Sequence, residues 1–231
     1  MGIGLQKGIL DLDKKIYDLS DMVDIQIKRS VRCFLERNLN FADEIIADDA
    51  NVNQLRWSIE ELCIDLIATQ QPVALDLRKL VSATHIIEEL ERMGDYAKGI
   101  AVVTKELPEK FDIQKYPELM EIFTKMQELS CKMLEKSMEA LLTRNREEAI
   151  NKSIEVCAED DAVDDLCVKV YDFIHSFRDR RLKDMERKDI VMKLSWIAHD
   201  LERIADRCTN IAERTIYLVT GRIDGVNPSR Y

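Results

Sequence analysis

The chain has 231 residues and a formal net charge of −10, and its 46% apolar content suffices for a sizeable core in one or two domains. Seven glycines and four prolines are too few to turn the many short strands of an all-β domain this long, so the expected class is all-α. The acidic balance argues against a nucleic-acid surface and against adsorption to anionic lipid.

No apolar run approaches the length of a membrane span, and the N-terminus lacks the basic-then-apolar layout of a secretion signal. Cys33, Cys63, Cys131, Cys157, Cys167 and Cys208 are scattered with no C-x-x-C pair, and read as small buried hydrophobes in a reducing compartment. The expected location is the cytoplasm, without insertion into a membrane.

In chain order, Ile9, Leu12, Ile16, Leu19, Val23, Ile27, Val31 and Phe34 recur at three- and four-residue intervals, which predicts a helix over residues 5–38. Asn38 is a stop and cap signal. A second helix over 41–69 carries Ile45, Val52, Leu55, Ile59, Leu62 and Leu66, and ends at Pro72, which lacks an amide and restricts the residue before it. Asp76 is placed to cap a third helix over 77–105. Residues 108–117, with Pro108 and Pro117, break the periodicity and read as a linker between a first repeat, 1–107, and a second, 118–231. The second repeat offers a helix over 118–142, a capping-box-like start at Asn145 and Glu148 for a helix reaching 178, a polar turn at 180–184, and a last helix stopping at Gly221.

Two phrases on the third and sixth helices repeat 111 residues apart: Leu90-Glu91-Arg92-Met93-Gly94-Asp95 and Leu201-Glu202-Arg203-Ile204-Ala205-Asp206. The same offset superposes Asp49 on Asp160, Val52 on Val163 and Asn53 on Asp164. Matches at one offset over two helices imply a duplicated unit, and the expected architecture is two tandem three-helix bundles, each with its own core. Residues equidistant from a hairpin turn lie at one height. Asp49 and Asn53 should therefore face Glu91 and Asp95, and Asp160 and Asp164 should face Glu202 and Asp206. On the third helix Glu88, Glu91 and Asp95 border the apolar line, and on the sixth His199, Glu202, Asp206 and Glu213 do so. His85 and His175 read as structural, and Met133 and Met138 as core.

Like charges four residues apart on a helix repel by roughly 0.2–0.5 kcal/mol, so something must neutralise these pairs: Arg92 or Arg203, water, or a bound cation. All-oxygen clusters suit hard cations such as Mg, Ca, Mn and Fe, and the lone His199, either a rim residue or a ligand, leans toward Fe, Mn or Zn. Asn53 interrupts the acid pattern, so the first cluster is expected to hold fewer ions.

At these residues the chain resembles the PhoU family of phosphate-signalling proteins. The resemblance rests on the two Leu-Glu-Arg phrases, the second running on through Arg207-Cys208-Thr209-Asn210-Ile211-Ala212-Glu213, and on Ala68-Thr69-Gln70-Gln71-Pro72-Val73-Ala74 before Asp76-Leu77-Arg78. It implies two tandem three-helix bundles with multinuclear metal clusters, iron above all, on Asp49, Glu91, Asp95, Asp160, Asp164, Glu202 and Asp206. It also implies a negative regulator of the phosphate regulon, without enzymatic activity. The implied partners are the ATPase subunit of a phosphate ABC transporter and a phosphate-sensing histidine kinase; the exposed bundle faces leave homodimers open. Ala205, where the family often has Gly, and Asn53, in place of an acid, depart from the pattern. Two other readings stand beside it. One is a carboxylate-bridged metalloprotein, a di-iron oxidase or metal store, although no Glu-x-x-His pair occurs. The other is a helical scaffold whose acids are solvated or paired with arginine.

Overall fold

A computed structural model describes residues 2–179 and 182–222. Among the described residues six long helices follow one another: α1 (Ile3–Glu36), α2 (Leu39–Gln70), α3 (Ala74–Glu106), α4 (Pro117–Leu142), α5 (Arg146–Ser176) and α6 (Asp184–Thr220), with a 3-10 turn at Ile113–Lys115. Each set of three packs as a bundle, and the two bundles lie side by side through α3 on α6 and α1 on α4. Two tandem three-helix bundles are therefore the architecture.

The helix ends follow local chemistry. The Asn38 side chain accepts from the Phe41 amide at 3.2 Å and caps α2. The Asn145 carboxamide oxygen accepts from the Glu147 and Glu148 amides at 3.0 and 3.3 Å and caps α5. The Glu148 carboxylate accepts from the Thr143 hydroxyl at 2.7 Å, two residues before Asn145, and the Asn145 amide donates to that hydroxyl at 3.2 Å, so Thr143 relays the return half of the box expected around Asn145. Gly221, with φ of 76°, ends α6 in the left-handed conformation that glycine adopts without penalty. One expectation fails: α3 begins at Ala74, with Val73 at its N-cap and Asp76 inside the first turn, where an acid complements the helix dipole instead of capping it. Of the polar turn expected at 180–184, Arg180 and Arg181 lie outside the described residues.

The second correction concerns the core. The bundles do not have separate interiors: one continuous apolar cluster runs from Leu12 to Leu218 through both. The reason is visible on α3 and α6. Ile86 and Ile87, Ile197 and Ile204 with Ala198 and Ala205, and Ile211 with Ala212 are all buried. Neighbours in sequence point about 100° apart on a helix, so these two helices are buried on two sides, toward their own bundle and toward each other. Met133 and Met138 are core residues, as expected. All six cysteines are free and buried.

The connection between the repeats is held down on several sides. Phe111 and Ile113 are buried, and Phe111, Tyr116, Phe173 and Phe177 form a ring cluster with centroids 5.5–6.5 Å apart. The Arg37 guanidinium donates to the carbonyls of Leu107 at 2.9 Å, Glu109 at 3.2 Å and Phe111, and Lys193 of α6 donates to that of Glu106 at 2.6 Å. Among the described residues no helix is long and apolar enough to cross a membrane.

Candidate functional site: two carboxylate clusters

The α2/α3 hairpin brings its predicted acids together, as the register requires. Asp49 is only 5% exposed. Its Oδ2 accepts from the Lys98 ammonium at 2.8 Å and from the Asn53 amide nitrogen at 3.1 Å, and the same ammonium reaches Asp95 Oδ1 at 3.1 Å. Gly94 lets the helices close here: a Cβ would sit 3.3 Å from Val52 Cγ1, 3.2 Å from Gln26 Oε1 and 3.9 Å from Asp49 Oδ1. Glu91 lies beside them; burial and the Asp95 charge push its carboxyl up, against the pull of Arg56. Arg56 pairs with Glu60 at 2.9 Å and reaches Glu88 of α3 at 3.8 Å. Arg92 is half-exposed and its ion-pair partner is Glu89, at 3.9 Å, so its charge is the weakest of the named influences on Glu91.

The α5/α6 hairpin assembles the matching set. Burial, followed by the charges of Asp206, Asp164, Asp161 and Glu202, pushes the Asp160 carboxyl up to about 7. Burial and Asp206 likewise raise Asp164, and burial and Asp206 raise Glu202 against the pull of His199. These mutual shifts place the four acids in one electrostatic neighbourhood. Asp160 Oδ1 is buried without a hydrogen-bond partner, as is Oε2 of the adjacent Glu159. On the rim, Arg203, one of the three neutralisers the sequence left open, pairs with Asp206 at 2.7 Å, Arg207 reaches the same oxygen at 3.8 Å, and His199 Nδ1 lies 3.1 Å from Glu202 Oε2. Glu213 sits farther along α6, where its charge bears on the Cys157 thiol. His85 and His175 lie in neither cluster; His175 Nδ1 is 2.7 Å from the Tyr171 carbonyl, a local helix contact.

Among the described residues, no three His, Cys, Asp or Glu side chains converge as a ready set of metal ligands. The two clusters nevertheless differ in how well they fit a cation. The first already contains one: Lys98 sits between Asp49 and Asp95, and Asn53 serves as a donor to Asp49. In the second, an orphaned buried carboxylate oxygen lies among three other acids, which suits a hard cation. Neither cluster contains an activated nucleophile, and burial pushes the thiols of Cys33 and Cys63 up to about 11 and those of Cys131 and Cys157 to about 12.

The sequence reading overlooked Lys98 and Arg56. The signal was present in the offset of 111, which sets Lys98 on Thr209 and Arg56 on Cys167. It also overlooked Glu89 and Asp200, a corresponding pair at the seam between the bundles. Glu89 accepts from Arg207 and Asn210 of α6, both at 3.1 Å. Asp200 faces Gly99 of α3, where a Cβ would lie 2.8 Å from its Oδ2, and burial alone pushes its carboxyl up to about 7.

Fold and site together define a class: a duplicated all-α protein with one inter-helix acid cluster per repeat. The family model for the PhoU domain matches twice, at residues 16–104 and 123–215. A phosphate-specific transport system accessory protein PhoU homolog of Clostridium acetobutylicum is 31% identical over 213 residues, covering 92% of each chain. The accessory protein PhoU of Escherichia coli (strain K12) is 28% identical over 208 residues, 90% of this chain and 82% of that one. The crystal structure of the phosphate transport system regulatory protein PhoU from Streptococcus pneumoniae superposes with a TM-score of 0.80 at 27% identity, over 95% of this chain and 98% of that one. The chain belongs to the PhoU family.

Proposed function

We propose that this protein is a cytoplasmic negative regulator of phosphate uptake and phosphate-starvation signalling, acting through contacts with a phosphate ABC transporter's ATPase subunit and a phosphate-sensing histidine kinase. The observation that carries this reading is the match of both repeats to the family, together with near-full-length relatives that are accessory proteins of phosphate transport. The described residues supply a long helical surface, and the six buried cysteines are held by desolvation as thiols, features that suit a binding role.

The reading includes a hard cation, iron or another divalent or trivalent ion, held in the second repeat by Asp160, Asp164, Glu202 and Asp206. When bound, the ion would supply positive charge between α5 and α6. Asp160 and Asp164 present carboxylates from one helix and Glu202 and Asp206 from the other, while His199 orients Glu202 from the rim.

Two measurements test the proposal. Deleting the gene should derepress phosphate-starvation genes in phosphate-rich medium, and the purified protein should retain the transporter's ATPase subunit in a pull-down. Unchanged expression together with no retained ATPase would sink the regulatory reading. Metal content of the purified chain, compared with Asp160→Asn/Asp206→Asn, tests the cation separately.

A further inference from the structure

We infer that the first repeat carries its own cation, the Lys98 ammonium, and that Lys98 and Asn53 close its acid cluster to metal, so that only the second repeat is left to bind an ion. The inference deepens the metal reading above.

Three observations lead here. The first is position: the Lys98 ammonium bridges the two helices at 2.8 Å from Asp49 Oδ2 and 3.1 Å from Asp95 Oδ1, contacting one acid of each helix. A metal shared by those carboxylates would meet a like charge, which disfavours it strongly at such short range. The second is the donor set. A hard cation needs oxygen lone pairs, but Asn53 directs its amide nitrogen to the same Asp49 oxygen, which now has two protein donors.

The third is the internal control that the duplication provides. Shifted by 111 residues, Lys98 becomes Thr209, Asn53 becomes Asp164 and Arg56 becomes Cys167. Thr209 cannot span the hairpin, since its hydroxyl bonds the Asp206 carbonyl of its own helix at 2.7 Å. Among the described residues no ion pair crosses from α5 to α6. The repeat that lacks the internal ammonium is also the repeat with the unpartnered Asp160 oxygen. The two halves thus meet the same repulsion differently: in the first an ammonium bridges one acid of each helix, whereas in the second Arg203 and Arg207 reach, among the four acids, only Asp206 of their own helix, at 2.7 and 3.8 Å, and Asp160 Oδ1 has no hydrogen-bond partner.

The experiment is Mn(II) binding to the full chain, followed by elemental analysis and by the loss of the free-ion paramagnetic signal. Against an Asp160→Asn/Asp206→Asn background, the native first repeat should bind no Mn(II) above a chelator-treated control. Adding Asn53→Asp/Lys98→Thr, which gives the first repeat the second's residues, should restore tight binding and raise the thermal midpoint on Mn(II) addition; Asn53→Asp/Lys98→Gln should do the same if the threonine variant folds poorly. Mn(II) retained by the native first repeat, and released by Asp49→Asn/Asp95→Asn, would overturn the inference. So would folded charge-swapped variants that still bind none. Wild-type protein that binds no Mn(II) would instead count against the second-repeat metal reading, while the swapped variants would still decide the role of Lys98.

Discussion

The α2/α3 and α5/α6 hairpins share a fold and an acid pattern and differ in what holds them together. Three ion pairs cross the first: Asp49–Lys98, Arg56–Glu88 and Asp43–Lys105. At an offset of 111 these become Asp160 with Thr209, Cys167 with His199, and Ile154 with Ile216, none of which is an ion pair. Five of these six positions differ between the repeats, Asp49 and Asp160 alone being alike, so ion pairs cross the first interface while none crosses the second among the described residues. A fold can therefore keep two copies of an acid motif while neutralising them with different side chains.

The largest expected effect comes from breaking the first hairpin's balance. Lys98→Ala leaves Asp49 buried with only Asn53 as donor. Because Lys98 itself remains about one-third exposed, the loss should be about 2–3 kcal/mol in urea unfolding, below the 3–5 kcal/mol of a fully buried pair. A loss under about 0.5 kcal/mol would place Lys98 among ordinary surface ions.

The second hairpin should respond in the opposite direction. Asp160 is held up to about 7, above the ordinary aspartate value near 3.8. Its neutral form is favoured by folding, so its contribution is fully present below about 4 and is lost as pH rises through about 7. In chelator-treated protein, Asp160→Asn should therefore gain on wild type between pH 4 and pH 8, by on the order of 2 kcal/mol at the upper end. A constant difference across that range would remove Asp160 as the source.

A smaller effect separates Gly94 from its counterpart Ala205. Ala205 is fully buried with its methyl accommodated, whereas a methyl at Gly94 would press on Val52 and Gln26 at 3.3 and 3.2 Å. Gly94→Ala should cost about 1 kcal/mol despite alanine's better helix propensity, and Ala205→Gly should cost about 1 kcal/mol through propensity and the lost methyl. Thermal melts of the two variants test this; a stabilised Gly94→Ala would show that the hairpin has room to spare. The smallest effect belongs to His199→Ala, where a half-exposed rim contact to Glu202 should be worth less than about 0.5 kcal/mol.

Much of this was legible in the residues. The three- and four-residue spacing from Ile9 to Phe34 marked α1, and Pro72 marked the α2/α3 turn, because backbone periodicity and a missing amide act locally. The hairpin register brought Asp49 to Asp95 and Asp160 to Asp206, since helix rise is constant. Lys98 escaped notice because a long flexible side chain chooses among several acids by three-dimensional reach, which spacing does not encode. Asp76 was misplaced as a cap because a short helix start after proline can be drawn at either residue, and packing selected Ala74.

By itself, the sequence determined that there are three helices in each of two copies, and that Asp49 and Asn53 meet Glu91 and Asp95 at one height as Asp160 and Asp164 meet Glu202 and Asp206, because these follow from periodicity, turns and a constant offset. Only the tertiary structure decided that the bundles share one core and that a lysine fills one acid cluster while a carboxylate oxygen in the other is left unpartnered. The physical reason is that burial on a second face and neutralisation across a helix pair depend on which surfaces meet, and each helix carries only half of that information.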